Sequence, residues 1–309
     1  MSIASRTLWM VICTLALALP ARAANPAPNA SGTLKVNGRT TTLQYAYAFR
    51  DSKGVTRVMI SGQPLPQDTL ASEAALGIAG QKPSPFRDRV QKGESSAIEL
   101  FIRPDGVLDT VVLFERSFQT PTPSGGDEVY WYEPYTMPAG WTGGRARTRE
   151  RQEFFDTKWE YEVSYFAPIG QKGFEVPAAA AIAAQRTQVE TREKARIVQP
   201  GGGEEGAMYL AFYKLMEAGN TKALLDQMTA TMKSAVASQM QVPALTPSDL
   251  ASWAMMHGVP PGKVEIVGGV RDAGGTILEL RRTTERRVRF GTAKIVKEGG
   301  RWKVAEENW

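Results

Sequence analysis

Cysteine and histidine are almost missing from this chain: Cys13 and His257 are the single example of each in 309 residues. One cysteine excludes a disulfide framework and any zinc site built on thiolates. One histidine excludes the His-rich catalytic metal centres. Beyond residue 23 no apolar run approaches the roughly 20 residues that a membrane-spanning helix needs. Charge of one sign is also in short supply. The net charge is +5, and +3 once Arg6 and Arg22 are set aside with the first 23 residues, too small an excess to imply nucleic acid as partner. Phosphate-cradling loops, dinucleotide fingerprints and serine-hydrolase elbows are absent, because Gly201-Gly202-Gly203 follows no strand and lacks the spacing.

What is present begins with a leader. Arg6 precedes a twelve-residue apolar run from Leu8 to Leu19, Pro20 ends it, and Ala21-Arg22-Ala23 offers small residues at a cleavage site. Residues 1–23 therefore read as a signal peptide with Cys13 inside it, leaving a mature chain with no cysteine. Export without disulfides fits a bacterial periplasm or secretion from it.

Residues 24–31 read as a flexible tail. Residues 32–176 carry short β-prone runs parted by turns, led by the hairpin signal Asn37-Gly38, with one helix around 68–78. Their pattern predicts an all-β antiparallel sandwich or barrel. Residues 177–203 are rich in alanine and mixed charge and end in glycines, which predicts a linker with too few large apolar residues for a core. Residues 204–309 open with helices and close with four strands, predicting an α+β domain with helices on a curved antiparallel sheet. In it a helix from 204 to 218 is followed by one capped by Thr221, carrying Leu224, Leu225, Met228 and Met232 on one stripe. Thr246-Pro247-Ser248-Asp249 starts a third.

This last segment resembles the nuclear transport factor two-like, or cystatin-like cone, superfamily. The resemblance rests on Glu217-Ala218-Gly219-Asn220 closing the first helix and on Gly300-Arg301-Trp302-Lys303-Val304 near the end. It implies a pocket between sheet and helices, used by some members for small-molecule chemistry and by many for binding alone, and it assigns no catalytic residue here. The β-rich segment loosely resembles secreted bacterial domains of unknown function, through Ala46-Tyr47-Ala48-Phe49 and the stretch 159–168.

Two constellations are candidate sites. Arg145, Arg147, Arg149 and Arg151 alternate, so on a strand they share one face and could hold an anion through guanidinium forks, or else pair with Glu160 and Glu162 of a neighbour. Met208, Phe212, Met228, Met232, Trp253 and His257 would line the apolar pocket. The aromatics from Tyr130 to Tyr165 read as filling of a small β core. Methionines near His257 could be soft metal ligands, but Met228 and Met232 sit at core spacing, and no cofactor or metal is expected. The expected function is a non-enzymatic binding or interaction protein of the bacterial envelope, meeting an envelope protein or a small apolar ligand. Two alternatives stand beside it. One is a pocket enzyme of isomerase, dehydratase or hydrolase type, which a buried Asp–His or Asp–Tyr pair would favour. The other is a structural component forming a homo-oligomer through an exposed apolar face of the C-terminal sheet.

Overall fold

The structure, a computed structural model, describes residues 26–76, 84–118, 122–123, 129–154, 156–257 and 262–309. The expected signal peptide and Cys13 lie outside these residues.

The chain opens with β1 (Ala30–Val36), β2 (Arg39–Leu43), β3 (Tyr45–Arg50) and β4 (Thr56–Ser61), then two helices, α1 (Gln67–Ala75) and α2 (Pro85–Gln91). Next come β5 (Ala97–Ile102), β6 (Leu108–Phe114), β7 (Thr122–Pro123), β8 (Tyr130–Pro134), β9 (Trp141–Thr148), β10 (Gln152–Phe154) and the long β11 (Thr157–Gly170). All eleven belong to one connected sheet. Asn37 and Gly38 both take positive φ, 49° and 80°, as a two-residue hairpin turn requires, and that turn sets β2 against β1 with Val36 opposite Arg39.

Strand β11 ties the sheet together. Its first part pairs antiparallel with β1 and β9, and its end pairs parallel with β3 through Ile169 and Ala48. Leu34, Tyr161 and Val163 from one set of strands share a buried cluster with Val58, Ile60, Ile98, Leu100 and Val111 from the other. Strands β4 and β5 are buried along their whole length because a second cluster covers their other face, where Met59 and Phe101 meet Leu70 of α1 and Phe86 and Val90 of α2. The all-β, all-antiparallel expectation for 32–176 is thus corrected. The apolar runs of β4 and β5 need cover on both sides, and helices supply it. On that side Arg57 is buried among the rings of Phe49, Phe101 and Phe174 and pairs with Glu99 at 2.6 Å.

Of the expected tail, the described residues 26–31 are anchored through Asn29 and the first residues of β1. Asn29 is buried, and its amide donates to the carbonyls of Ala46 and Phe166 while its oxygen accepts from the Ala46 N–H. The alanine-rich segment is helical: α3 (Ala179–Gln188), a π-helical turn (Val189–Glu193) and α4 (Lys194–Arg196) lead into β12 (Ile197–Val198). Its scarce large apolar residues are used for docking. Ile182 and Val189 are buried against Tyr135 and Phe166 of the large sheet.

The remainder comprises α5 (Gly203–Glu217), α6 (Thr221–Gln227), α7 (Ala230–Met240), α8 (Pro247–His257), β13 (Lys263–Asp272), β14 (Gly275–Thr283), β15 (Val288–Glu298) and β16 (Arg301–Asn308). Strands β12 to β16 form a separate antiparallel sheet in chain order. Thr246 and Asp249 cap α8 reciprocally, the Asp249 N–H donating to Thr246 Oγ1 at 3.2 Å and the Thr246 N–H to the Asp249 carboxylate at 2.9 Å. The single helix expected after Thr221 is two. Met228 is extended and bridges Val304 of β16, and Thr229 then caps α7, so tertiary pairing interrupts a continuous apolar stripe. Among the described residues no helix is long and apolar enough to cross a membrane.

Candidate functional site

The arginine row is only partly on a strand. Strand β9 ends at Thr148, so only Arg145 and Arg147 lie on it, and Arg149 and Arg151 follow it. Arg145 pairs with Glu162 at 2.5 Å and approaches Glu133 at 3.8 Å. Of the two glutamates expected to face the row, Glu162 does so, whereas Glu160 pairs with Lys35 at 2.8 Å. Arg147 and Arg149 reach across to the smaller sheet, where both hold Glu279 of β14, Arg149 at 3.0 Å. Arg151 is exposed and makes no ion pair among the described residues.

Glu279 is fully buried between the two sheets. Burial pushes its carboxyl above the ordinary range, against the pull of Arg147 and Arg149. Glu133 is raised for the same reason, and the Trp131 indole donates to it at 2.7 Å. A β-bulge in β13 brings Arg147 close to the backbone: a side chain at Gly268 would meet the guanidinium at 3.0 Å. Arg149 donates from Nε to the Tyr130 carbonyl at 3.1 Å and lies over the rings of Trp131 and Phe290, at 5.0 and 5.3 Å. These charges join the sheets in one orientation.

Beside this junction opens a cleft of about 580 Å³, with Val129, Arg149, Glu150 and Gln152 on one wall and Val288, Arg289, Phe290 and Trp309 on the other. Val288 and Trp309 are among the large apolar residues left exposed, at 39% and 36%. The cleft sets a few apolar side chains beside two guanidinium groups and one carboxylate, in a volume large enough for a small molecule. The run Arg286-Arg287-Val288-Arg289-Phe290 was legible as a charge cluster, yet its place at a cleft depends on the fold.

Five of the six residues expected to line an apolar pocket are described, and they lie away from this cleft. Phe212 and Met228 are buried in the core between helices and smaller sheet, with Leu278, Leu280, Ile295 and Val304, while Met208, Met232 and Trp253 pack against it. His257 ends α8, and its side chain lies outside the described residues. A second cavity of about 340 Å³ lies between α5, α6 and α8, lined by Leu215, Met216, Leu224 and Ala251. Of the aromatics expected as core filling, Tyr130, Tyr135, Trp159, Tyr161 and Tyr165 are buried, whereas Trp131, Tyr132 and Trp141 are half-buried. The sheet face opposite the helices carries Glu265 paired with Arg281, and Glu279, rather than an apolar surface. Among the described residues no group of three acidic, histidine or cysteine side chains is set to hold a metal ion.

No family model, curated protein or solved structure matches the chain.

Proposed function

We propose that the protein is an exported, non-enzymatic binding protein of the bacterial cell envelope, periplasmic or secreted, whose ligand enters the cleft between its two sheets. In this reading residues 32–176 are a β-sandwich domain carrying helices on one side, and 204–309 are a cone-like α+β domain. The helices preceding an antiparallel meander, and the cluster shared by the two strand sets of the larger sheet, support that division. The leader pattern supports export.

The observation that carries the functional reading is the pairing of exposed Val288 and Trp309 with Arg289 in a cleft of about 580 Å³. Exposed apolar residues scattered singly need no explanation, but two on one wall beside a cation make a recognition surface. The ligand class is a small molecule with an anionic group and an apolar part.

The test is native mass spectrometry of the exported protein, beside a Gln152→Trp variant that narrows the cleft. A bound small molecule in the wild type, absent from the variant, is the expected result. A wild type that carries no ligand, with Gln152→Trp complementing a deletion strain fully, would refute the reading.

A further inference from the structure

Strand β15 runs past its neighbour on one side. It pairs with β14 from Val288 on, but with β16 only from Thr292 on. The Thr284 N–H donates to the Arg287 carbonyl at 2.9 Å, which makes this pair at the hairpin end a hydrogen-bonded one. Bonded and non-bonded pairs alternate along an antiparallel ladder, so Arg289 bonds to Arg282 through the backbone. Val288 and Phe290 therefore turn their N–H and C=O groups away from β14. Among the described residues no strand takes these groups up.

The cleft borders this open edge. Val288, Arg289 and Phe290 all line it, although consecutive residues of a strand project to opposite faces. Val288 and Phe290 are in register with Thr283 and Arg281, on the face that carries Glu279. Arg289 shares the face of Arg282, against which the Trp309 ring packs at 4.4 Å. A cavity that meets residues of both faces reaches the edge between them. The opposite wall brings Val129 and the carboxylate of Glu150. Arg289 and its neighbours Arg286 and Arg287 are exposed and make no ion pair among the described residues.

We propose that the cleft receives a short acidic peptide as an added antiparallel strand on the edge of β15, with apolar residues opposite Val288 and Phe290 and an acidic residue between them, opposite Arg289. The free backbone groups supply the affinity, and the side chains supply the choice of sequence. Arg289 favours the central acid, while Glu150 on the opposite wall disfavours acids at the two flanking positions. A second copy of this chain is a poor occupant, because β15 laid against β15 brings the same arginines together. This names the ligand of the cleft and rests on the cleft being the ligand site.

The test is isothermal titration of the exported protein with the peptide acetyl-Gly-Val-Glu-Val-Gly-amide. In the bound strand both valine N–H groups point at β15 and the glutamate N–H points away. N-methylation of the two valines should therefore weaken binding by about tenfold or more, as the loss of two backbone bonds requires. N-methylation of the glutamate should change it by less than about twofold. Lysine in place of the glutamate should bind severalfold more weakly, and Arg289→Gln should erase that difference. Val288→Pro removes an edge N–H that no ladder bond uses, so it should abolish binding, whereas Val288→Ala retains it. Thermal melting checks that the proline variant folds, and the methylated peptides test the wild type whether or not it does. No loss on methylating the valines, or equal losses from both methylations, would overturn strand addition. Equal binding of the glutamate and lysine peptides would overturn the acidic preference. Gln152→Trp separates the two readings. If it leaves peptide binding intact while Val288→Pro removes it, the cleft reading fails and the edge stands. If the peptide does not bind, while mass spectrometry finds a ligand that Gln152→Trp excludes, strand addition fails and the cleft stands.

Discussion

Replacing Arg147 by Met tests whether buried charge joins the two sheets. Glu279 is 0% exposed and is held by Arg147 and Arg149, so the substitution leaves a desolvated carboxylate with half its compensation. Breaking a buried pair by removing one partner costs about 3–5 kcal/mol, and the surviving Arg149 contact puts this case near 3. The loss must depend on pH in a definite sense. Burial already raises the Glu279 carboxyl, and losing a cation raises it further. A group raised in the folded state contributes most stability at low pH, where it is protonated, and loses that contribution as pH rises through its raised value. The destabilisation should therefore be larger at pH 8 than at pH 5, since the more acidic condition favours the protonated carboxyl. Urea titrations at both pH values read it directly. Adding Glu279→Gln to Arg147→Met should recover most of the loss at pH 8. An equal loss at both pH values, or one below about 0.5 kcal/mol, would refute this account of the junction.

Glu99, pushed up to about 7 by burial against the pull of Arg57, works in the same sense: its contribution is complete below the usual carboxylate range and is lost as pH rises through 7. Stability should thus fall by on the order of 2–3 kcal/mol between pH 5 and pH 8, and Glu99→Gln should flatten that slope in denaturant midpoints. Ile182→Asp should free the docked helical segment and bring the first protease cut into residues 178–203, whereas a wild type cut there just as fast would show that Ile182 does not hold it. Gly291→Ala drives a Cβ into the Asn308 carbonyl of the neighbouring strand and to 2.8 Å from the Trp309 ring, so it should strain the pairing of β15 with β16 and cost about 1–3 kcal/mol. An unchanged denaturant midpoint in that variant would contradict the close approach.

Local chemistry made part of the fold readable. Asn37-Gly38 is a two-residue turn because those residues tolerate positive φ, and Thr246 with Asp249 closes a helix start within four residues. The four closing strands were legible because turn glycines separate apolar runs along a meander, where neighbours in sequence are neighbours in the sheet. The helix break at Met228 was not, since Val304, its partner, is far along the chain and nothing local marks the bridge.

The site divides in the same way. The sequence by itself determined that arginines alternate from 145 to 151 and that Glu160 and Glu162 are spaced to meet them. Only the tertiary structure decided which of them are spent. Arg147 and Arg149 meet Glu279 about 130 positions away in sequence, and that long-range contact turns half of the expected anion row into a structural junction. Strand register then sets Arg282 opposite Arg289, with Tyr213 and the Trp309 ring against Arg282, an arrangement that a shift of one residue would undo by sending one side chain to the other face. The docked alanine-rich helix follows the same logic. Two apolar residues are too few to make a core alone, yet they suffice once a neighbouring sheet offers Tyr135 and Phe166 to receive them.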